Sequence, residues 1–176
     1  MKSKIRSLDS SSKTKMSLDL SKRLIQFLSE SFHDLDRKIV GVFAPLKDEV
    51  NWDEADITGM IKTAYPTNGS SGMSFLKCSA DELVETEVFG VKILAPDEGE
   101  VCTPDILIIP GLSFSEKGER LGRGKAFYDH YLENFSGPKV GVCFDLQVLE
   151  ELPTEEHDRL MDFVVTEARV INASVD

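Results

Sequence analysis

The segment that most constrains the fold is DILIIP, residues 105–110, in which apolar residues follow one another without alternation. An uninterrupted apolar strand is typical of a parallel sheet, whose strands are covered on both faces. A glycine-rich loop follows, and FYDHYLENF at residues 127–135 then repeats its apolar residues at helical spacing. The segment therefore predicts a central strand that leads through a loop into a helix.

The rest of the chain shows the same alternation of strand and helix patterns. The spacing of Leu20, Leu24, Phe27 and Leu28 predicts a helix over residues 17–31, with Ser17 or Asp19 as its cap. A second helix is predicted in the middle of residues 48–66, with Ile57, Met60 and Ile61 on one face. Strands are predicted at residues 38–45, 73–78, 88–96, 139–144 and within 162–171.

This pattern predicts an α/β fold, a three-layer sandwich with a mostly parallel central sheet. No internal repeat or linker divides the chain, so we expect one domain over residues 1–176, with a polar, basic N-terminal arm at residues 1–16. Trp52 is interpreted as a packing residue. The three histidines, His33, His130 and His157, have no spacing typical of a triad or a metal site and are interpreted as surface residues.

The composition limits the kinds of partner. The formal net charge is −11, which argues against a general nucleic-acid or anionic-membrane surface. Residues 1–30 are nevertheless basic, with seven lysines and arginines against three acidic residues. The cysteines Cys78, Cys102 and Cys143 form no disulfide or zinc pattern. With no apolar run of signal-peptide or membrane-spanning length, we expect a cytoplasmic protein.

The loop after DILIIP is the second basic region of the chain. Residues 118–129 read GERLGRGKAFYD, and they follow the carboxyl end of a predicted central strand, where α/β sheets bind ligands. Glycines permit close backbone approach to an anion, and arginines add charge, so the loop suits phosphate. It matches neither a Walker A loop nor a dinucleotide fingerprint. The same residues also fit a solvated turn before a helix.

The order of motifs resembles the 5-formyltetrahydrofolate cyclo-ligase family, also called methenyltetrahydrofolate synthetase. The family's P-G-hydrophobic-x-F and G-x-R-L-G-R-G-x-G-Y-Y-D signature is matched by Pro110, Gly111, Phe114, Gly118, Arg120, Leu121, Gly122, Arg123, Gly124, Tyr128 and Asp129. Further matches in the same order are Lys2, Ile5 and Arg6; Phe43, Asp48, Glu49 and Val50; Met73 and Phe75; and Leu152, Pro153, Asp158 and Asp162. The resemblance covers nearly the whole chain.

The resemblance implies an ATP- and Mg²⁺-dependent ligase that converts 5-formyltetrahydrofolate to 5,10-methenyltetrahydrofolate, with release of ADP and phosphate. In that reaction ATP phosphorylates the formyl oxygen, the neighbouring nitrogen attacks the activated carbon, and phosphate leaves. Such chemistry depends on positioning and on charge stabilisation. The implied partners are the folate and ATP, without nucleic acid or membrane, and the implied assembly is a monomer or weak dimer.

The resemblance also implies roles for individual residues. The catalytic residues would be Arg120, Arg123 and Tyr128. The ATP site would comprise Lys2, Arg6, Gly122, Arg123, Gly124, Lys125, Ala126, Phe127 and Tyr128. The folate site would comprise Glu49, Met73, Phe75, Phe114 and Tyr128, although Phe75 and Phe114 also fit simple core positions. Asp129 and Asp158 would hold Mg²⁺, whereas Asp162 fits the capping of a strand edge better than a metal site.

Three departures from the family pattern bear on efficiency and folate affinity. Ala126 stands where the family has glycine, Phe127 where it has tyrosine, and Thr67 where it often has arginine. The alternative to the enzyme is therefore a catalytically weak relative that binds folate or nucleotide in a regulatory role. A sugar-phosphate enzyme on a similar layered fold would rest on analogy of fold alone.

Overall fold

The centre of the molecule is an eight-stranded sheet in which a parallel core is flanked by antiparallel edges. The computed structural model describes residues 5, 7–69, 72–88, 90–124, 126–153 and 159–174. Within these residues the α-helices are α1 (Ser10–Ser31) and α2 (Phe127–Leu132). The strands are β1 (Ile39–Gly41), β2 (Lys62–Gly69), β3 (Gly72–Lys77), β4 (Leu83–Val88), β5 (Val91–Pro96), β6 (Glu100–Cys102), β7 (Ile106–Pro110), β8 (Ser113–Ser115), β9 (Arg120–Leu121), β10 (Lys139–Val142), β11 (Val148–Leu149), β12 (Phe163–Val165) and β13 (Val170–Asn172).

The large sheet has the order β13-β12-β10-β7-β1-β2-β3-β6. The five strands from β12 to β2 run parallel to their neighbours, whereas β13, β3 and β6 pair antiparallel. A second sheet has the order β11-β8-β9, and β4 and β5 form a separate hairpin. The prediction of an α/β fold with a mostly parallel sheet is confirmed.

Strand β7 is buried on both faces, as its unbroken apolar sequence predicts. Ile106 and Ile108 face the layer that contains α1, whereas Leu107 and Ile109 face the layer that contains α2 and β8. All four side chains are at most 1% exposed. The sheet is therefore the middle of three layers, with one apolar core on each side.

Helix α1 begins earlier than the sequence pattern predicts. Its N-cap is Asp9, whose side chain accepts a hydrogen bond from the Ser12 amide at 2.9 Å, and not Ser17 or Asp19. Residues 10–16 therefore belong to the helix, which corrects the boundary of the predicted arm. Ile5 is fully buried in the core under α1, so this arm also carries an apolar anchor.

The predicted helix within residues 48–66 is wrong. Only a short 3₁₀ turn forms at Thr58–Met60, and β2 follows it. The Asp53 carboxylate accepts hydrogen bonds from the amide and hydroxyl of Thr58, which compete with helical bonding. Asp56 adopts φ 58°, a left-handed conformation that ends a helix. Trp52 packs in the core, as predicted, and its indole N–H donates to the carbonyl of Phe43.

The remaining strand predictions are largely confirmed. The segment at residues 88–96 forms β5 and the end of β4, and the hairpin extends back to Leu83, which the sequence pattern did not indicate. Residues 162–171 cover β12 and most of β13. In the part of the chain that the structure describes, no helix combines the length and apolar character needed to cross a membrane.

Candidate active site

A cavity of about 350 Å³ lies at the carboxyl ends of β1 and β7, the edge that the sequence predicts for a ligand. Phe43, Ala44, Leu46 and Glu49 approach it from the segment after β1, and Pro110 and Gly111 approach it from the end of β7. The glycine loop contributes Gly122 and Arg123, and α2 contributes Phe127 and Tyr128. Two neighbouring parallel strands and the following loop thus form one site.

One wall of the cavity comes from the β4–β5 hairpin. Val88, Val91, Ile93 and Leu94 line the cavity, although Val91 and Leu94 are about half exposed at 49% and 51%. Sequence reasoning did not place any of these residues in the site. The alternation of charged and apolar residues on both sides of Gly90, which adopts φ 76°, is the signal that predicts such a hairpin.

Glu49 is fixed by the tight turn that carries it. Its Oε2 accepts a hydrogen bond from the Leu46 amide at 2.9 Å, and its own amide donates to the Leu46 carbonyl. The side chain is only 9% exposed. Burial raises the pKa of the Glu49 carboxyl, against the opposing effects of the Leu46 amide and Arg123. A buried carboxyl therefore faces an otherwise apolar wall.

Arg123 connects the glycine loop to this turn. Its Nε donates to Glu49 Oε1 at 3.0 Å, and its Nη2 donates to Asp48 Oδ1 at 2.8 Å. Burial lowers the pKa of the guanidinium, but its hydrogen bond to Asp48 and the charges of both carboxylates outweigh that effect and raise the pKa overall. Arg123 is therefore charged and held at the rim of the cavity.

Arg120 is the more deeply buried of the two arginines. Its Nη2 donates to Asp129 Oδ1 at 2.5 Å, and its Nη1 donates to the Pro110 carbonyl at 3.4 Å. Its guanidinium carbon also lies 5.6 Å from the ring centroid of Tyr128, within the range of a cation–π contact. These contacts tie the start of α2 to the end of β7, beside the cavity.

The hydroxyl of Tyr128 is buried and has no hydrogen-bond partner among the described residues. Burial raises the pKa of this hydroxyl well above its ordinary value, and Arg120 opposes the shift. A buried hydroxyl without a partner costs free energy unless a ligand supplies one. Tyr128 lines the cavity, although its hydroxyl itself is enclosed by protein.

The loop backbone between these side chains adopts left-handed conformations. Gly124 has φ 79° and Ala126 has φ 52° with ψ 14°. A side chain at Gly124 would meet no atom within 4 Å, so glycine is needed there for its backbone and not for space. Ala126 takes a conformation that alanine rarely adopts, at the position where the family pattern has glycine.

The comparisons with known proteins agree with this geometry. A model of the 5-formyltetrahydrofolate cyclo-ligase family matches residues 58–167, more than half of the chain. The chain belongs to this family. The mouse 5-formyltetrahydrofolate cyclo-ligase is 26% identical over 186 residues, which cover 95% of this chain and 90% of the mouse protein. The Haemophilus influenzae enzyme of that name is 43% identical over 98 residues, which cover 52% of each chain.

Solved structures of the family show the same fold. The NMR structure of 5,10-methenyltetrahydrofolate synthetase from Aquifex aeolicus superposes with a TM-score of 0.79 at 28% identity, covering 99% of this chain and 90% of that one. The synthetase from Mycoplasma pneumoniae superposes with a TM-score of 0.72 at 21% identity, covering 94% and 93%. At 21% identity, the similarity to the Mycoplasma pneumoniae structure supports the fold alone. The resemblance stated from the sequence is confirmed.

Seven of the sixteen site residues predicted from the sequence line the cavity. These are Glu49, Met73, Arg120, Gly122, Arg123, Phe127 and Tyr128. Asn68, which the sequence reasoning missed, joins them at the end of β2. Lys2, Arg6, Lys125 and Asp158 lie outside the described residues, and their roles stay predictions. The two positions Gly124 and Ala126 belong to the same loop but do not line the cavity.

Two of the predicted folate contacts lie in the core and do not line the cavity. Phe75 and Phe114 are at most 1% exposed, and both pack in the core on the α2 side of the sheet. Phe114 fills space that glycines leave open: a Cβ at Gly111 or Gly141 would lie 2.7 or 2.5 Å from its ring. Both residues occupy the core positions that the sequence also allowed, and their contact with folate stays a prediction.

The metal-binding roles of Asp129 and Asp158 stay predictions. Asp129 contacts Arg120, and the described residues contain no cluster of three or more histidine, cysteine, aspartate or glutamate side chains that could hold a metal ion. Asp162 accepts a hydrogen bond from the Lys139 amide at 2.7 Å and lies 2.8 Å from its ammonium. Asp162 therefore caps a strand edge, as expected. Thr67, which replaces an arginine of the family pattern, lies within β2 and pairs with Ser74 of β3.

Proposed function

We propose that this chain converts 5-formyltetrahydrofolate to 5,10-methenyltetrahydrofolate, using ATP and Mg²⁺ and releasing ADP and phosphate. Membership of the cyclo-ligase family supports the reaction. The observation that carries it furthest is the largely apolar cavity with Arg123 at its rim, lined in part by Tyr128, whose buried hydroxyl has no partner among the described residues. An aromatic ring system with oxygen acceptors at one end suits that combination.

In the proposed reaction, the formyl oxygen attacks the γ-phosphorus of ATP, and the bond from that phosphorus to ADP breaks. The neighbouring folate nitrogen then attacks the formyl carbon, forms the new C–N bond and loses its proton to solvent. The original formyl oxygen leaves with the phosphate. The protein has to align these groups and to offset the charge that develops on oxygen.

The residues around the cavity have different roles in the proposed reaction, according to their chemistry. The apolar wall of Val88, Ile93 and Leu94 receives the folate ring system and excludes water. Glu49 accepts hydrogen bonds from the polar edge of the folate. The Tyr128 hydroxyl donates to the transferring phosphoryl group or to the formyl oxygen, and Arg123 offsets the negative charge beside it.

The residues present fit Mg²⁺ only in part. Asp129 supplies one carboxylate next to the loop, and Mg²⁺ usually completes its shell with phosphate oxygens and water. When bound with ATP, the ion would neutralise phosphate charge and polarise the transferring group.

The test is an assay of the purified protein with 5-formyltetrahydrofolate and MgATP, followed by the near-ultraviolet absorbance of the methenyl product. We expect product only when the folate, ATP and Mg²⁺ are all present. Full turnover in excess chelator would reject the role of the metal. Turnover without any nucleotide would reject the mechanism. Tyr128→Phe serves as the control variant with lowered kcat.

The second candidate is a catalytically weak relative that binds folate or nucleotide in a regulatory role. The observation in its favour is the methyl group of Ala126 in a left-handed conformation, where it narrows backbone approach to a phosphate. Binding of both ligands without product would select this candidate over the enzyme.

A further inference from the structure

Asp48 holds Arg123 from outside the cavity. Its Oδ1 and Oδ2 accept hydrogen bonds from Nη2 and Nη1 of Arg123, at 2.8 and 3.4 Å. The Asp48 side chain is only 11% exposed, yet Asp48 is not among the residues that line the cavity, whereas Glu49 and Arg123 are. The residue therefore touches the arginine on the side away from the ligand space.

The two carboxylates contact the same guanidinium in different ways. Glu49 uses one oxygen, Oε1, which lies 3.0 Å from both Nε and Nη2 of Arg123, and its other oxygen accepts from the Leu46 amide. Asp48 takes the end of the fork, where a two-point contact fixes the plane of the group. The connection joins residues 75 positions apart in the sequence. Arg123 lies between Gly122 and Gly124, so its own backbone restrains it little.

We propose that Asp48 is a positioning residue, which fixes the Arg123 guanidinium so that its charge faces the phosphate-binding side of the cavity. Without Asp48, Arg123 would keep its contact with Glu49 but could rotate about it, because one carboxylate oxygen does not fix the plane of a guanidinium. The proposal rests on the proposed function, since it takes the nucleotide phosphates as the group that Arg123 serves.

A double-mutant cycle tests whether Asp48 acts through Arg123. The four proteins are the wild type, Asp48→Asn, Arg123→Ala and the double variant. Asp48→Asn keeps the shape of the side chain and removes its charge. We expect it to weaken binding of MgADP, measured by calorimetry, and to raise the KM for ATP by about tenfold, because a displaced charge contact loses most of its value. The KM for the folate should stay within about twofold.

In the Arg123→Ala background, Asp48→Asn should have no further effect on MgADP binding, because the residue through which it acts is gone. The matched control is Asp19→Asn, which removes the same charge from the exposed face of α1. Its MgADP affinity should equal that of the wild type. A carboxylate restored by Asp48→Glu should recover part of the lost affinity, whereas a purely structural defect would not respond in this way.

Several results would overturn the proposal. If Asp48→Asn leaves MgADP binding unchanged or tightens it, the contact does not position Arg123. An equal loss in the Arg123→Ala background would assign Asp48 a structural role. If the wild type binds MgADP but forms no product, the cyclo-ligase reaction is rejected. The double-mutant cycle on MgADP binding then still tests the role of Asp48. A wild type that binds no MgADP would overturn both proposals.

Discussion

The substitution Ala126→Gly should stabilise this protein, although glycine usually destabilises a fold. Ala126 adopts φ 52° at the start of α2. An L-residue other than glycine pays roughly 1–2 kcal/mol for this left-handed conformation. Glycine removes that strain but makes the unfolded chain more flexible, which costs about 0.4–1 kcal/mol. The expected net gain is about 1 kcal/mol in the free energy of unfolding.

Urea unfolding measures this gain directly, and the midpoint should rise while the slope with urea stays constant. A thermal scan of a chain of this length should show an increase of about 2–4 °C. Gly124→Ala is the reverse change, at φ 79° and with nothing within 4 Å of the added Cβ, so it should cost about 1 kcal/mol through the backbone alone. Ala80→Gly, at an exposed position without a positive φ, should lower stability slightly.

A decrease in the urea midpoint for Ala126→Gly, as large as the decrease for Ala80→Gly, would refute the reasoning. It would mean that residue 126 does not adopt the left-handed conformation in solution. Cyclo-ligase activity should stay equal or rise in Ala126→Gly, since the substitution restores the residue of the family pattern and removes a methyl group from the loop.

Four further outcomes are expected. Arg123→Ala should lower kcat/KM by some tens- to hundreds-fold, or roughly 2–4 kcal/mol of barrier, and near-normal steady-state kinetics would show that the loop does not serve phosphate. Tyr128→Phe should lower kcat while leaving the urea midpoint equal or higher, because it removes a buried hydroxyl without a described partner; a clear loss of stability would indicate a structural hydrogen bond. Burial raises the pKa of Glu49 in the folded state, so the protonated carboxyl stabilises the fold at pH values below the unfolded-state pKa, and this contribution declines as pH rises through the folded-state pKa. Glu49→Gln should therefore gain stability relative to the wild type as pH rises above about 4.5. Parallel pH profiles of stability for the two proteins would contradict this. Ile5→Ala should cost about 2–4 kcal/mol in urea unfolding because Ile5 is fully buried, and removal of residues 1–6 should therefore destabilise the fold as well as remove charge.

The edge of the sheet that carries the site could be predicted because its signals are local. DILIIP indicates a strand buried on both faces, and the glycines and arginines after it indicate a loop that can approach an anion. Both predictions depend only on residues that are close together in the sequence. The helix that was wrongly predicted within residues 48–66 failed for a local reason too, since the Asp53 contacts with Thr58 offered the backbone an alternative to helical bonding.

The parts of the site that could not be predicted depend on contacts between distant segments. The hydrogen bonds from Arg123 to Asp48 and Glu49 cross about 75 residues, and no spacing within either motif indicates them. The wall that the β4–β5 hairpin contributes could not be predicted for the same reason. Its apolar side chains reach the cavity only once β5 lies against β2. Phe114 shows the converse error: a residue inside a functional motif serves the core, filling space beside Gly111 and Gly141.

The charges around the cavity suggest why a metal ion would matter for binding as well as for chemistry. Among the described residues, Arg120 is paired with Asp129, and Arg123 with Asp48 and Glu49, so two arginines face three carboxylates. These pairs hold the arginines in place but leave the described part of the site without an excess of positive charge. A nucleotide triphosphate brings several negative charges, which at short range repel the three carboxylates. A bound cation would offset that repulsion without breaking the ion pairs that orient the loop. Arg123 would then orient the phosphates and offset part of their charge, and the cation that accompanies the nucleotide would offset the rest.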